Sequence, residues 1–272
     1  MSVSPADAAF VRELVLRCSA IQLDEEKDYL IEMRLAQLAR EQGLADIAAL
    51  VSRARSGPRD MSVKIIEAMT THETTFFRDL QPFEIMRLTL LPRLIAARAA
   101  QRTLTIWSAG CSSGQEPYSI AMMLLEQFPV LSAWKVSIIG TDLSEQVLAR
   151  AREATFKQMD MNRGLPARLL TKYFTKVGLH WQLNPEVRRL VEYRQLNLIE
   201  PWSFFPKPDI VFLRNVLIYF DVQTKRTILD RVRQTIAKDG VLFLGAAETT
   251  LNVAAGWERV ATDKHSYYQV QL

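Results

Sequence analysis

The stretch Leu104 to Ser119, LTIWSAGCSSGQEPYS, constrains the fold of this chain more than any other. Leu104-Thr105-Ile106-Trp107 has the composition of a buried strand, and Ser108 to Gly114 is a run of small residues. Ile120, Ala121, Leu124 and Leu125 then recur at helical spacing. A strand, a small-residue turn and a helix form the first half of a βαβ nucleotide-binding unit, because small residues let backbone approach a ligand closely. Gly110 and Gly114 are four apart and no third glycine opens the helix, so the dinucleotide fingerprint is not met. A carboxylate at Glu116 repels phosphate and suits a ligand that carries an ammonium group.

Further strands at Val136–Gly140, Asp209–Leu213 and Val241–Leu244 alternate with helices near Glu116–Gln127, Ser144–Glu153 and Gln223–Ala237. Such alternation predicts a mostly parallel sheet covered by helices on both faces. Trp257–Ala261 and Ser266–Val270, joined by Thr262-Asp263-Lys264-His265, predict a closing antiparallel hairpin. That ending is typical of Rossmann-like methyltransferases dependent on S-adenosylmethionine, and unusual for dehydrogenases. Between Ala154 and Leu198 the alternation is interrupted by a turn at Arg163-Gly164-Leu165-Pro166 and a short helix over Leu169 to Phe174. His180–Leu183 and Arg189–Gln195 are expected to pair around Asn184-Pro185, giving a small β insertion. Arg188 and Arg189 there are either surface charges or part of a peptide-docking edge.

The first quarter shows no strand pattern. Ser4-Pro5-Ala6-Asp7 is a helix start, and further helices are expected from about Asp24 to Gln42, from Ala45 to about Ala54, and from near Asp60. Lys27, Arg34, Arg40, Arg53, Arg55 and Arg59 make either a solvated surface or a face that docks an acidic helix. Met69 to Arg78, MTTHETTFFR, breaks the helical pattern. A linker pinned by Phe76 and Phe77 explains its aromatics but not Thr74 and Arg78. A long helix is expected from Gln81 to about Ala99. The 272 residues therefore divide into helices over 1–72, a linker and helix over 73–100, and a sheet domain over 101–272 with the insertion at about 154–196.

No apolar run approaches the roughly 20 residues of a membrane helix. The first residues lack a secretory signal, and Cys18 and Cys111 fit no metal spacing. A cytoplasmic protein without direct membrane insertion is expected. The net charge of +4 is too weak to indicate nucleic acid.

In a doubly wound sheet the ligand lies at the carboxyl ends of the strands. Asp142 ends the second strand, where a carboxylate suits two ribose hydroxyls. The rival role is a helix cap, which Ser144 can fill, leaving Asp142 free. Asn197 either reads an adenine edge or closes a turn. Arg214 and Asn215 interrupt an otherwise apolar run, Phe212 to Asp221, and both need partners if buried. Tyr219 falls on the same rim.

Together MTTHETTFFRD, WSAGCSSGQEPYSIA, GTDLS, RGLP, NL and LRNVLIYFD resemble, in order and over nearly the whole chain, the CheR family of chemoreceptor glutamate methyltransferases. The resemblance implies S-adenosyl-L-methionine as methyl donor, with S-adenosyl-L-homocysteine as product. It implies receptor glutamates as acceptors and an all-α N-terminal domain ahead of a Rossmann-like class I methyltransferase sheet. Arg78 and Tyr219 then fall on the catalytic positions. His72, Thr74, Arg78, Glu116, Asp142, Asn197, Leu198, Arg214 and Asn215 fall on cofactor contacts: Glu116 at the methionine portion, Asp142 at the ribose, Asn197 and Leu198 near the adenine, with Arg214 and Asn215 beside it. The implied partner is the cytoplasmic helical domain of a chemoreceptor, with the β insertion as the place for a receptor C-terminal tail peptide; a monomer is expected. His72 stands where the family often has asparagine, Gln115 replaces a frequent glutamate, and Ala154 a common glycine. Gly245-Ala246-Ala247-Glu248 lacks the usual His-Ser. The competing readings are a methyltransferase of the same fold acting on RNA or a small molecule, and a binding protein that senses the cofactor without turnover.

Overall fold

The computed structural model describes residues 3–57, 59–202, 206–262 and 266–271, with the side chains of Lys27 and Arg59 outside that description. Four helices come first: α1 (Pro5–Ser19), α2 (Asp28–Glu41), α3 (Ile47–Ser56) and α4 (Arg59–Met69). Ser4 caps α1 by accepting from the Asp7 amide. The second helix begins later than its pattern suggests, because Glu25–Lys27 form a 3₁₀ turn. Val11, Leu14, Ile31, Leu35, Leu50, Val51, Ile65 and Met69 close a core of their own. Two of the cations open to either a solvated or a docking role are structural. Arg34 donates to the carbonyls of Met69 (2.7 Å) and Thr70 (3.1 Å) at the end of α4. Arg55 pairs with Asp7 at 3.2 Å and lies over the Phe10 ring.

After an irregular segment, α5 (Gln81–Ile85), a π turn (Met86–Leu90) and α6 (Leu91–Ala97) make one bent helical run. The sheet domain then follows with β1 (Thr103–Ala109), α7 (Gln115–Gln127), β2 (Lys135–Asp142) and α8 (Glu145–Glu153). The insertion comprises β3 (Thr155–Lys157), α9 (Gln158–Met161), α10 (Ala167–Tyr173), β4 (Phe174–Val177), β5 (His180–Leu183) and α11 (Pro185–Arg188). The chain returns through β6 (Val191–Gln195), β7 (Ile210–Leu213), α12 (Val222–Thr235), β8 (Val241–Leu244), β9 (Trp257–Ala261) and β10 (Ser266–Val270).

The large sheet has the order β6-β2-β1-β7-β8-β10-β9. Its first five strands are parallel, and β10 runs antiparallel between β8 and β9. The hairpin connection 263–265 lies outside the described residues. Side chains alternate across the sheet as strand geometry requires. Leu104 and Ile106 of β1 pack in the core beneath α7 and the insertion, while Trp107 and Ala109 face the core that includes Ile228, Leu229 and Val232 of α12.

The expected pairing of His180–Leu183 with Arg189–Gln195 is not found. Strand β5 lies between β3 and β4 in a separate three-stranded sheet. Strand β6 joins the large sheet beside β2, with Tyr193 opposite Gly140. Asn184-Pro185 opens α11 rather than a hairpin, since proline suits a first helical turn. The insertion is therefore over before β6.

Two contacts lock the insertion in place. Gly164, at φ +81°, sits where a Cβ would lie 2.0 Å from the Phe76 carbonyl oxygen. Only glycine tolerates both the conformation and that approach. In the last turn of α7, the Glu126 carboxylate is 7% exposed and accepts from Lys172 (2.5 Å), Tyr173 (2.7 Å) and Arg168 of α10. The bonds from Lys172, Tyr173 and Arg168 outweigh burial and hold the Glu126 carboxyl down at about 2. The carboxyl of an unfolded chain titrates near about 4.3. The lowered folded value therefore stabilises fully above that pH, and the gain is lost as pH falls toward about 2. Glu126→Gln should cost about 1–3 kcal/mol at pH 7 and flatten the acid limb of stability in urea titrations below about pH 4.

Candidate active site

A cleft at the carboxyl ends of β1, β2 and β7 encloses about 380 Å³. His72, Thr74, Arg78, Glu116, Asp142, Asn197, Leu198, Arg214, Asn215 and Tyr219 all line it, so the structure brings together every residue that the sequence suggested for catalysis or cofactor contact. A wider depression of about 780 Å³ beside α12, walled by Arg226, Asp230 and Arg233, holds none of them.

The β1–α7 turn folds through positive φ at Gly110 (70°), Ser112 (52°) and Gly114 (93°). A Cβ on Gly110 would lie 2.4 Å from a Val216 methyl, so this turn rests directly on the segment after β7. Cys111 is buried in the wall, and burial pushes its thiol well up, away from nucleophilic reactivity.

Asp142 is 9% exposed. Ser144 does cap α8, accepting from the Val147 amide, but Asp142 is not thereby free. Its Oδ2 accepts from the Ser112 amide (2.9 Å) and its Oδ1 from the Ser144 amide (3.1 Å). Each oxygen keeps a further lone pair for a ligand hydroxyl. Burial raises the Asp142 carboxyl, against the pull of His72 and these amides. His72 pairs with the Thr70 hydroxyl at 2.7 Å, while its carbonyl accepts from Ser112 Oγ. Burial lowers the His72 imidazole below its usual value, with Asp142 opposing.

Glu116 does not await a ligand alone. Its Oε1 accepts from Ser108 Oγ (2.7 Å) and its Oε2 from Arg214 Nη1 (2.8 Å). Arg214, only 2% exposed, also donates to Asp79 Oδ2 (2.8 Å) and the Arg78 carbonyl (2.9 Å). Sequence reasoning missed Asp79, whose one available signal was a carboxylate immediately after Arg78. The Arg214 guanidinium thus serves the Glu116 end of the cleft rather than standing free beside an adenine.

Arg78 lies between two left-handed residues, Phe77 (φ +47°) and Asp79 (φ +51°), and lines the cleft with its guanidinium donating to the Glu73 carbonyl at 3.2 Å. The Phe77 amide donates to buried Ser119 Oγ at 2.9 Å. Phe76 stacks edge-on against Phe156 and Phe174 of the insertion. The pinned-linker account of the two phenylalanines is therefore correct, and the pinning is what holds Arg78.

The helical quarter completes the cleft, which its separation in sequence hid. Ser19, Ile21, Gln22, Leu23 and Leu30 form one wall. The Gln22 amide donates to the Tyr219 carbonyl (3.0 Å), and Asn197 Nδ2 donates to the Cys18 carbonyl (2.8 Å). Asn197 also accepts from the Ile199 amide, so it closes its turn and joins the two parts of the chain.

Two family models cover the chain: the CheR methyltransferase all-alpha domain over residues 6–70, and the CheR methyltransferase SAM binding domain over residues 72–265. The chain belongs to the CheR methyltransferase family. Chemotaxis protein methyltransferase 1 of Pseudomonas aeruginosa is 38% identical, covering 100% of both chains. The protein of the same name from Vibrio cholerae is 36% identical over 96% of this chain and 95% of its own. This CheR protein is a methyltransferase that uses S-adenosylmethionine, on the class I fold with a helical N-terminal domain.

The donor set fits that cofactor. The Asp142 carboxylate suits the ribose, Leu198 and Leu143 offer apolar cover for a base, and the Glu116 carboxylate, on the same cleft, suits an ammonium group. Because His72 is lowered, folding keeps it neutral while the unfolded chain takes up a proton near about pH 6.5. Its contribution is present above that pH and lost as pH falls through the folded value. The melting temperature should therefore drop below about pH 6.5, and His72→Gln should flatten that limb in calorimetry.

Proposed function

We propose that this CheR protein transfers a methyl group from S-adenosylmethionine to glutamate side chains of chemoreceptors, yielding glutamate methyl esters and S-adenosylhomocysteine. The observation that supports the choice of acceptor is Arg78, which lines the cleft and whose guanidinium donates only to the Glu73 carbonyl (3.2 Å) among the hydrogen bonds of the described residues. Such a group attracts and orients an anionic acceptor.

When bound, S-adenosylmethionine supplies an electrophilic methyl on a positively charged sulfur. A glutamate of ordinary pKa near about 4.3 is already ionised at neutral pH, so the protein must place it and need not deprotonate it. Arg78 and Tyr219 orient the reacting groups without exchanging protons. Opposite charges cancel along this reaction, so an unduly strong grip on the separate anion would slow it. Asp142, Asn197 and Leu198 hold the ribose and adenine portions, with His72 and Thr74 beside them, while Glu116, supported by Arg214, holds the methionine portion. Asn215, which lines the same cleft, is read as a contact beside the adenine.

Residues 1–72 supply the surface that meets the receptor's cytoplasmic helical domain, and the β insertion is the place for a receptor tail peptide. In this reading the protein acts as a cytoplasmic monomer. Among the described residues no helix is long and apolar enough to cross a membrane.

Incubation with methyl-labelled cofactor and a receptor cytoplasmic fragment should put alkali-labile label on the receptor, as methyl esters require. Alkali-stable label, label on RNA alone, or binding without turnover would overturn the reading. Arg78→Ala should lower turnover by about 10²-fold or more with an unchanged circular dichroism spectrum. Arg53, exposed on α3, remains available for docking, and Arg53→Glu should weaken receptor methylation more than cofactor binding; equal loss of both would remove the docking role.

A further inference from the structure

The six residues after β7, Arg214 to Tyr219, carry much of the cleft, yet they make almost no regular structure. Asn215 is left-handed at φ +59°, and Val216 returns to the right-handed region at φ −118° and ψ −42°. Leu217–Tyr219 then form a single 3₁₀ turn. A left-handed residue followed by a right-handed one turns successive backbone N–H groups toward one point, making an anion-binding concavity. Here the anion comes from the chain itself. Glu248, in the turn after β8, accepts with Oε1 from the amides of Val216 (2.9 Å), Leu217 (2.7 Å) and Ile218 (3.3 Å). Its Oε2 accepts from the amides of Asn215 (2.8 Å) and Gly245 (2.6 Å). A Cβ on Gly245 would lie 2.7 Å from Glu248 Oε2 and 2.8 Å from the Asn215 nitrogen, so the turn is fitted around this carboxylate.

Resting on the methyl-transfer reading of the cleft, we propose that Glu248 is a positioning residue, whose carboxylate fixes the Asn215–Ile218 backbone and so sets Asn215 and Tyr219 against the reacting groups. Glu248 itself does not line the cleft. Its influence passes through the amides it gathers, and charge-assisted bonds of this kind are the strong ones. Arg214, one residue earlier, is held independently by Glu116 and Asp79. Loosening the segment therefore leaves the Glu116 end of the cleft in place. The effect belongs to Tyr219 and Asn215, and to turnover more than to binding.

Glu248→Gln is the informative variant, since its NH₂ group faces amides that are themselves donors. At saturating cofactor and receptor, turnover should fall roughly 10- to 100-fold, the range expected from a small misplacement of reacting groups. S-adenosylhomocysteine affinity should change by about threefold or less, equivalent to about 0.7 kcal/mol at a tenfold change per 1.4 kcal/mol. Amide hydrogen exchange of the protein without ligand should quicken at residues 215–218 and stay unchanged in β1 and β7. Turnover within twofold of wild type, or unchanged exchange at 215–218, would overturn the proposal. If Glu248→Gln does not fold, Glu248→Asp, which keeps the charge and shortens its reach, is read by the same measurements and limits. A wild-type protein that binds cofactor but methylates no receptor fragment overturns the functional reading beneath; an active wild type beside an equally active variant overturns this inference alone.

Discussion

One buried guanidinium ties the cleft together. Arg214 stands at the end of β7, yet its donors reach Glu116 at the start of α7 and both Asp79 and the Arg78 carbonyl in the segment between the two domains. Removing a charge from water is costly, and it is tolerable here because carboxylates and a carbonyl meet it. Replacing Arg214 itself would leave the largely buried Glu116 without its cation and cut the link among the three segments at once. The arrangement also moderates Glu116. A lone carboxylate at that position would be a strong cation trap, whereas one shared with Arg214 and Ser108 is a fixed acceptor of known direction.

The same economy recurs at the other corners. Asp142 organises two amides and His72 lies within its electrostatic reach. Glu248 gathers the amides that an irregular loop would otherwise leave exposed to ligand or water. In both places a carboxylate gives definite shape to backbone that has no ladder to satisfy it. Polar groups used in this way stiffen the cleft without requiring a large apolar core behind every wall.

Much of the sheet domain was legible in the sequence because period and burial agree there. Val241–Leu244, Trp257–Ala261 and Ser266–Val270 are strands over the expected residues. The site residues were legible because each breaks a local pattern: Arg214 within an apolar strand, Asp142 at a strand end, Arg78 after two phenylalanines. What was not legible is partnership across distance. Nothing local distinguishes a β6 that pairs with β5 from one that joins β2, since both are short alternating runs. What favours β2 is Gly140, which lets the Tyr193 ring lie within 2.8 Å of where its Cβ would be. Arg34 was open to a solvated or a docking role because sequence shows charge but not the carbonyls of Met69 and Thr70 that receive it. Glu248 escaped notice since the two residues before it, Ala246 and Ala247, depart from the family pattern.

The wall formed by residues 19–23 has a consequence in time. Asn197 and Cys18 are 179 positions apart, yet their hydrogen bond helps close the cleft. A ribosome working at 5–20 residues per second takes roughly 10–35 s to cross that interval. The helical quarter has its own core and can settle early, while its cleft-facing edge waits for Asn197 and Tyr219, which follow β6 and β7. The newborn chain therefore has no complete cofactor site until most of it has been made. A ligand that binds the cleft can select finished molecules but cannot guide the early ones.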